Sequence, residues 1–280
     1  MNLGVLHPGE MGVSVGAVLT AAGHRVYWLP ESRSRATRER AEGAGFTGCA
    51  SLRELADRVA GIVSVCPPAA AEEVASQVRS AGFTGVYVDA NAVSPATARR
   101  MARTMGPTYV DGGIVGPPAV RPGLARLYLS GAAAEEVAGW FHGGLLEARV
   151  LAGEAGAASA LKMCYAAYTK GSSALVLAIR ALAEAEGVDE PLLAEWDISQ
   201  PGLADRSQRA AAGTAAKAWR FVGEMEEIAA TFRGVGLPGE FHEAAAVVYR
   251  RLAPLKGNAA AELADVVRRL IENPADVGED

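Results

Sequence analysis

Short apolar, β-branched segments alternate with segments of helical periodicity through the first half of the chain. The apolar segments predict strands at residues 3–6, 25–29, 61–66, 85–88 and 108–110, with 126–130 closing the series. The segments between them predict helices at residues 11–22, 35–43, 52–59, 70–81 and 95–105. Several of these strands are apolar almost throughout, as expected when both faces of a parallel sheet are buried. The alternation therefore predicts βαβ units and an α/β fold with a doubly wound parallel sheet.

The pattern changes after residue 154. Residues 155–182 contain no proline and are rich in Ala, Leu, Lys and Ser, which predicts one long helix with Gly171 as its only candidate break. Further helices are predicted at residues 191–196, 202–209, 215–233, 239–252 and 259–272, and no strand-like segment competes with them. We expect a domain of residues 1–154 and an all-helical domain of residues 155–280, joined by the long helix, with a frayed tail at 273–280.

Composition and charge narrow the class of protein. Half of the 280 residues are hydrophobic, 21% are charged and the net charge is -5, which favours a globular protein over a nucleic-acid-binding or disordered one. No apolar run reaches the roughly 18 residues of a membrane span, and Met1-Asn2 leads directly into strand-like sequence. The 3 cysteines and 4 histidines are too scattered for a disulfide framework or a zinc site. We expect a cytoplasmic, metal-free protein.

A glycine-containing turn joins the first predicted strand to the first predicted helix. Its residues are His7, Pro8, Gly9, Glu10, Met11 and Gly12. They match the pattern G-x-G-x-x-G except that His7 replaces the first glycine, and such a turn places a pyrophosphate on N–H groups at a helix N-terminus. Gly9 would let the backbone approach the phosphates, and Gly12 would allow close packing of helix on strand. We predict dinucleotide binding with altered phosphate contacts, because Pro8 biases His7 toward extended geometry.

The residues after the second predicted strand determine the preference for NAD or NADP. Glu31 would hold a ribose diol and favour NAD. Ser32, Arg33 and Ser34, with two more arginines nearby, resemble a nest for a 2′-phosphate, since guanidinium pairs bidentately with phosphate. We interpret the segment as an NADP site and keep NAD as the alternative.

Four segments together resemble the β-hydroxyacid dehydrogenase and 6-phosphogluconate dehydrogenase superfamily in order and spacing. They are GEMG at residues 9–12, VDANAVSP at 88–95, YVDGGIVG at 109–116 and GAASALK at 156–162. The resemblance covers about the first 180 residues, and the helical remainder looks like a branch with a poorly characterised C-terminal domain. It implies a Rossmann-type domain and an NAD(P)-dependent dehydrogenase or reductase. We expect cofactor contacts from Cys66, Pro67 and Asn91, and substrate contacts from Gly112, Gly113, Ile114, Val115 and Thr169.

Lys162 is similar to the catalytic lysine of that superfamily. It is a lone charge between the apolar pairs at residues 160–161 and 163–164. As an acid/base it would give a proton to the alkoxide that develops during carbonyl reduction. Tyr165 and Thr169 follow by three and seven residues and so share its helix face, where the Tyr165 phenol would orient substrate or pass a proton.

Two departures from the superfamily pattern leave the substrate open. Ala166 replaces an expected asparagine, and Val115 replaces a serine that would bind a carboxylate, although N–H groups of Gly112 and Gly113 would still bind an anion. The first hypothesis is reduction or oxidation of a small carbonyl or hydroxy compound with NADP(H). The second is an imine reductase acting on a C=N bond with help from Tyr165. The third is a catalytically silent NADP-binding sensor.

The sequence of the helical domain also bears on the oligomeric state of the protein. Its repeated apolar stripes lead us to expect a homodimer, with residues 219–227 of the second copy completing the cleft. We interpret the acidic cluster at residues 224–227 as a solvated helix face.

Overall fold

The computed structural model describes residues 1–272, so the predicted frayed tail at 273–280 lies outside the described residues. The chain divides into two compact units, Met1–Met163 and a second that begins at Cys164. The first unit contains strands and helices, and the second is helical.

Within residues 1–272 the strands form one eight-stranded sheet in the order β3-β2-β1-β4-β5-β6-β7-β8. The strands are β1 (Asn2–Leu6), β2 (Arg25–Trp28), β3 (Thr47–Gly48), β4 (Gly61–Ser64), β5 (Val86–Asp89), β6 (Tyr109–Val115), β7 (Ala125–Ser130) and β8 (Leu146–Val150). The first six are parallel, whereas β7 runs antiparallel to β6 and parallel to β8. The predicted doubly wound sheet is confirmed, with the correction that its last two strands reverse direction.

Helices of the first unit cover the sheet. They are α1 (Glu10–Ala21), α2 (Arg35–Gly43), α3 (Leu52–Arg58), α4 (Ala71–Ser80), α5 (Pro95–Met105) and α6 (Ala134–Trp140). Alternate residues of the central strands enter apolar clusters on opposite faces: Val63 and Val88 on one, Ile62 and Tyr87 on the other. Each such side chain contributes about 1.5–3 kcal/mol by leaving water, which explains why these strands are apolar throughout.

Strand β6 is longer than the sequence pattern predicts. We predicted a strand at residues 108–110, but β6 runs from Tyr109 to Val115 and is buried along its whole length. It contains Gly112 and Gly113, and glycine is depleted in strands because it has no side chain to pack. Strand pairing overrides that preference, because β5 pairs with residues 109–111 and β7 pairs with residues 111–115, which include both glycines.

The second unit is built on one continuous helix, α7 (Ala157–Ala185), which begins in the first unit. The helices that follow are α8 (Asp189–Ser199), α9 (Leu203–Thr214), α10 (Ala218–Arg233), α11 (Glu240–Arg251) and α12 (Leu263–Ile271). Gly171 does not break α7. A Cβ there would lie 3.2 Å from the Phe241 ring and 3.4 Å from that of His242, so the glycine lets α11 pack closely. No helix within residues 1–272 combines the length and apolarity needed to cross a bilayer.

Polar side chains join the helices of this unit. Arg180 is 8% exposed and forms a bidentate pair with Asp189 at 2.7 and 2.8 Å. The acidic cluster of α10 is only partly solvated, contrary to our expectation: the Glu224 side chain is 13% exposed and pairs with Lys170 of α7. Losing one partner of such a buried pair costs about 3–5 kcal/mol, because the other charge stays buried.

Substitution of Gly16 in α1 tests how closely this helix packs against Phe46 in the first unit. A Cβ on Gly16 would lie 2.3 Å from the ring of Phe46, whereas one on Gly139 in α6 would have no atom within 4 Å. We expect Gly16→Ala to lower the free energy of unfolding by about 1–3 kcal/mol through overpacking. The matched control Gly139→Ala should be neutral or stabilising, because alanine favours helix. Denaturant unfolding measures both, and equal effects would contradict the packing account.

Candidate active site

The carboxyl ends of β1, β2 and β4 meet at one edge of the sheet, where doubly wound sheets bind ligands. The predicted turn leaves β1 there and enters α1, whose N-cap residue Gly9 has no side-chain cap. The first turn of a helix directs its N–H groups toward its N-terminal side, where they bind anions. Gly9 leaves that side open, because a Cβ on it would have no atom within 4 Å.

His7 adopts the left-handed conformation that the missing glycine would otherwise supply. Its φ is 63°, so our expectation that Pro8 biases it toward extended geometry is wrong. The turn imposes this angle, since the His7 carbonyl must accept from the N–H of Gly9 at 2.7 Å. Close packing then requires Gly12, because a Cβ there would lie 2.4 Å from the His7 carbonyl oxygen.

Buried nitrogens without partners lie at this edge. Among the described residues, His7 Nδ1 and Arg33 Nε are buried and have no hydrogen-bond partner. Burial, followed by the charge of Arg33, lowers the pKa of His7 to about 4, and burial also lowers the pKa of Arg33. Burial raises the pKa of the nearby Cys66 thiol to about 12, so the thiol stays protonated. A desolvated guanidinium beside a neutral imidazole suits a phosphate ligand.

Other residues predicted to bind cofactor have different surroundings. Asn91 is buried, accepts from the Cys66 N–H at 2.5 Å and donates to the Asp89 carboxylate, so it fixes the loop after β4 onto β5. Ser32 is exposed with φ 58°, and Pro67 is also exposed. Within residues 1–272 no group of three His, Cys, Asp or Glu side chains is arranged to hold a metal ion.

Lys162 reaches the same edge of the sheet from α7. Its Nζ donates to the carbonyl of Ile114 at 2.7 Å, near the carboxyl end of β6. A Cβ on Gly113 would lie 2.9 Å from the Lys162 Cβ, and one on Gly112 would lie 3.0 Å from the Asp89 carbonyl oxygen. The glycine pair therefore lets α7 and β5 approach β6 closely. The structure brings Gly113, Ile114 and Lys162 together, and the Val115 side chain is buried in β6.

Tyr165 and Thr169 lie farther along α7, in the second unit. The Tyr165 side chain is 47% exposed, and the Thr169 hydroxyl donates to the Tyr165 carbonyl at 3.1 Å. Ala166, which replaces the asparagine expected there, is buried.

Asp111 lies in the motif at residues 109–116, and we predicted no role for it. The residue is fully buried in β6. Its carboxylate accepts from the N–H groups of Gly156 (2.8 Å) and Ser159 (3.0 Å) and from the hydroxyls of Ser159 (2.5 Å) and Ser130 (3.0 Å). The available signal was an acidic residue directly after the apolar segment that ends at residue 110, but its burial becomes evident only when the strand is extended to residue 115.

Comparison with known structures identifies the fold. A conserved protein of unknown function, described as structurally similar to 3-hydroxyacid dehydrogenases, aligns with a TM-score of 0.67 and 26% identity over 93% of this chain and 100% of its own. The 3-hydroxyisobutyrate dehydrogenase of Mycobacterium tuberculosis, solved with L-serine, aligns with a TM-score of 0.70 and 16% identity over 97% and 99%. The fold is that of the 3-hydroxyacid dehydrogenases.

Further comparisons concern the reductases of the superfamily and the helical second half of the chain. The reductive aminase of Aspergillus terreus, solved with NADPH and ethyl levulinate, aligns with a TM-score of 0.56 and 19% identity over 95% of this chain and 98% of its own. Residues 183–252 match the model of a domain of unknown function, DUF1932. Comparison with curated proteins finds no match. The resemblance that we expected, including the poorly characterised helical region, is confirmed at the level of the fold.

The burial of His7 predicts a pH dependence of stability. The unfolded chain protonates this imidazole below about 6.5 and the folded protein only below about 4, so between these values the unfolded state binds more protons and stability falls as the pH falls. His7→Asn keeps a residue that tolerates left-handed geometry. Between pH 6.5 and 4 the free energy of unfolding should fall in the wild type by about 2 kcal/mol more than in this variant. This value is smaller than the full pKa shift would give, because the His7 side chain is partly exposed to solvent.

Denaturant unfolding at a series of pH values measures this difference. His142→Asn, in which an exposed histidine is replaced in the same way, is the matched control. If both variants change the pH dependence equally, the attribution to buried His7 is wrong.

Proposed function

We propose that this protein is an NADP(H)-dependent oxidoreductase that transfers a hydride between the nicotinamide and a small carbonyl or hydroxy compound, with Lys162 as acid/base. The observation that carries the proposal is the Lys162 amine held on the Ile114 carbonyl, at the ligand-binding edge of a sheet with the 3-hydroxyacid dehydrogenase fold. The likeness to a dehydrogenase and to a reductive aminase solved with NADPH supports the same class of reaction.

The order of the strands suits an extended dinucleotide. The phosphate turn follows β1 and Lys162 contacts the end of β6, with β4 and β5 between them. Three strand intervals of about 4.8 Å separate the two positions by about 14 Å along the edge. Arg33 follows β2, on the other side of the turn. The adenosine would therefore lie toward β2 and the nicotinamide toward β6.

Lys162 has the chemistry that this reaction needs from the protein. A bound nicotinamide supplies or accepts the hydride. An ammonium has three donors, so the bond to Ile114 fixes the direction of Nζ and is compatible with a further bond to a substrate oxygen. In reduction, negative charge develops on that oxygen, and a positive group at this position stabilises it and transfers a proton. In oxidation the neutral amine would accept the hydroxyl proton.

Replacement of Lys162 tests its role. Lys162→Met should reduce kcat/KM by about 10²–10⁴-fold, the usual contribution of a positioned acid/base. The affinity for NADPH should persist, because the phosphate turn and Arg33 are untouched. Lys217→Met, a change at an exposed lysine, is the control and should retain full activity. Steady-state kinetics on a substrate accepted by the wild type measure the effect, and wild-type turnover in Lys162→Met would refute the acid/base role.

Arg33 would recognise the 2′-phosphate and so set the preference for NADP. Arg33→Ala should raise the Kd for NADPH about 10–100-fold, the equivalent of a lost charge-assisted hydrogen bond, and leave the Kd for NADH nearly unchanged. Arg35→Ala is the matched control, because Arg35 is 93% exposed and pairs with Glu39. Fluorescence titration measures both constants. Equal weakening of NADPH and NADH by Arg33→Ala would point to a general loss of the site.

An imine substrate is the second candidate. The likeness to a reductive aminase and the half-exposed phenol of Tyr165, one helical turn after Lys162, favour it. Assay of NADPH oxidation against matched ketones, with and without an amine, separates the two candidates. Turnover only with the amine supports C=N reduction, and turnover of neither pair supports a catalytically silent NADP-binding protein.

We also propose a homodimer formed through the helical second unit. Tyr168, Leu175 and Leu182 are spaced by seven residues on α7 and are 66%, 47% and 61% exposed. Such a heptad stripe is typical of a helix that packs against another helix. Light scattering at micromolar concentration should give the mass of a dimer, and Leu175→Glu should shift it toward the monomer. Val235→Glu, at an apolar residue 72% exposed elsewhere in this unit, is the control, and a monomeric wild type would refute the proposal.

A further inference from the structure

The residue that precedes α7 provides no side-chain cap for its first turn. Gly156, just before the helix, has φ 106° and no side chain to offer. The N–H groups of a first helical turn have no acceptor within the helix and need one elsewhere. Asp111 of β6 accepts from Gly156 and Ser159, and the hydroxyl of Ser130 on β7 accepts from Ala158 at 3.1 Å. The Ala157 N–H donates to the nearby Glu154 carbonyl at 3.3 Å, and the other N–H groups named here are capped by strands 28 to 48 residues earlier in the chain.

The two acceptors on the strands are themselves connected. Asp111 and Ser130 are register partners in the antiparallel pair β6–β7, and the Ser130 hydroxyl donates to the carboxylate at 3.0 Å. The carboxylate thus receives N–H and O–H groups from two elements, and all of these atoms are buried. Charge-assisted bonds of this kind are roughly twice as strong as neutral ones, so they fix the position of the helix start.

The fixed turn leads directly to Lys162. Ser159, which donates twice to Asp111, is three residues before Lys162 and lies on the same face of α7. On the strand, Ile114 is three residues after Asp111 and accepts from Lys162. The helix is consequently held to β6 at two points, and the second point is the amine itself. Any shift of the first turn would move Nζ away from the Ile114 carbonyl.

We propose that Asp111 is the positioning residue for Lys162: its buried carboxylate anchors the first turn of α7 on β6 and so holds the amine at the carboxyl edge of the sheet. This inference rests on the proposed function for its catalytic meaning and on the hydrogen bonds above for its geometry. Asp111→Asn keeps the size of the side chain but replaces an acceptor with an NH₂ group that faces N–H and O–H donors. The first turn should then loosen and release Lys162.

The test measures the accessibility of the Lys162 amine and needs no turnover. The folded protein is treated with an acetylating reagent, and mass spectrometry gives the labelling rate of Lys162 relative to exposed Lys217 in the same sample. We expect the ratio to rise about tenfold in Asp111→Asn, which corresponds to about 1.4 kcal/mol in the opening equilibrium. Ser159→Ala keeps the carboxylate and should raise the ratio about two- to threefold, since it removes one neutral donor. Ser130→Ala should raise the ratio at least as much, because it removes a donor to Asp111 and also the acceptor of the Ala158 N–H.

A matched variant separates positioning from general loss of stability. Ser51 caps α3 by accepting from the Glu54 N–H at 3.1 Å, so Ser51→Ala removes a helix cap in the same unit but away from Lys162. Its labelling ratio should equal that of the wild type. In Asp111→Asn, kcat should fall while the Kd for NADPH stays unchanged.

An unchanged labelling ratio in folded Asp111→Asn would overturn the proposal. If Asp111→Asn does not fold, Ser130→Ala and Ser159→Ala test the proposal instead. A labelling ratio equal to that of the wild type in both serine variants would overturn the proposal. A different result would contradict the proposed function. Wild-type activity in Lys162→Met would show that Lys162 is not the acid/base. The labelling ratio of Asp111→Asn would still show whether Asp111 holds the lysine in place.

Discussion

The buried carboxylate of Asp111 joins the sheet to the long helix, and the arrangement of the candidate site follows from that junction. A carboxylate without water is costly unless each oxygen is satisfied, and here the donors come from β7 and from the start of α7. The helix can therefore begin at only one place over β6. Gly113 then sets the closeness of the contact, because a Cβ would collide with Lys162. The position of the lysine is thus set by atoms distant from it in the sequence.

The nucleotide end of the site depends on a second constraint, the geometry of one turn. His7 occupies a left-handed position and carries a partly buried, neutral imidazole, with its Nδ1 atom buried, next to Arg33. Gly12 keeps the helix close enough for its N-terminus to face the same space. Since β1 and β6 are parallel members of one sheet, the turn and Lys162 lie at the same edge. One unit of the chain therefore carries both a place for phosphate and a positioned amine.

Local signals account for the part of the fold that the sequence predicted well. Helix α5 has the predicted bounds, and local signals define both of its ends: Ser94 caps it, Pro95 is its first residue and Gly106 follows it with φ 84°. The buried strands were evident from their apolar character. Strand β3, with two residues, and edge strand β8, with alternating burial, are too short or too polar to stand out. Strand β6 was shortened because its two glycines resemble a loop.

Long-range pairing accounts for what the sequence could not show. Lys162 was recognised from its apolar flanks and its motif, but its acceptor on Ile114 is 48 residues away. Burial of Glu224 depends on Lys170, 54 residues away, so a cluster of acidic residues resembled a solvated face. Asp111 is similar: its partners lie on another strand and a helix, and nothing adjacent in the sequence indicates them.

The most direct measurement is a crystal structure of the protein with NADP⁺. We predict the pyrophosphate on the N–H groups at the start of α1, the 2′-phosphate on Arg33 and the nicotinamide ring beside Lys162, whose Nζ still contacts Ile114. A cofactor bound elsewhere, or a nicotinamide ring remote from Lys162, would contradict the account.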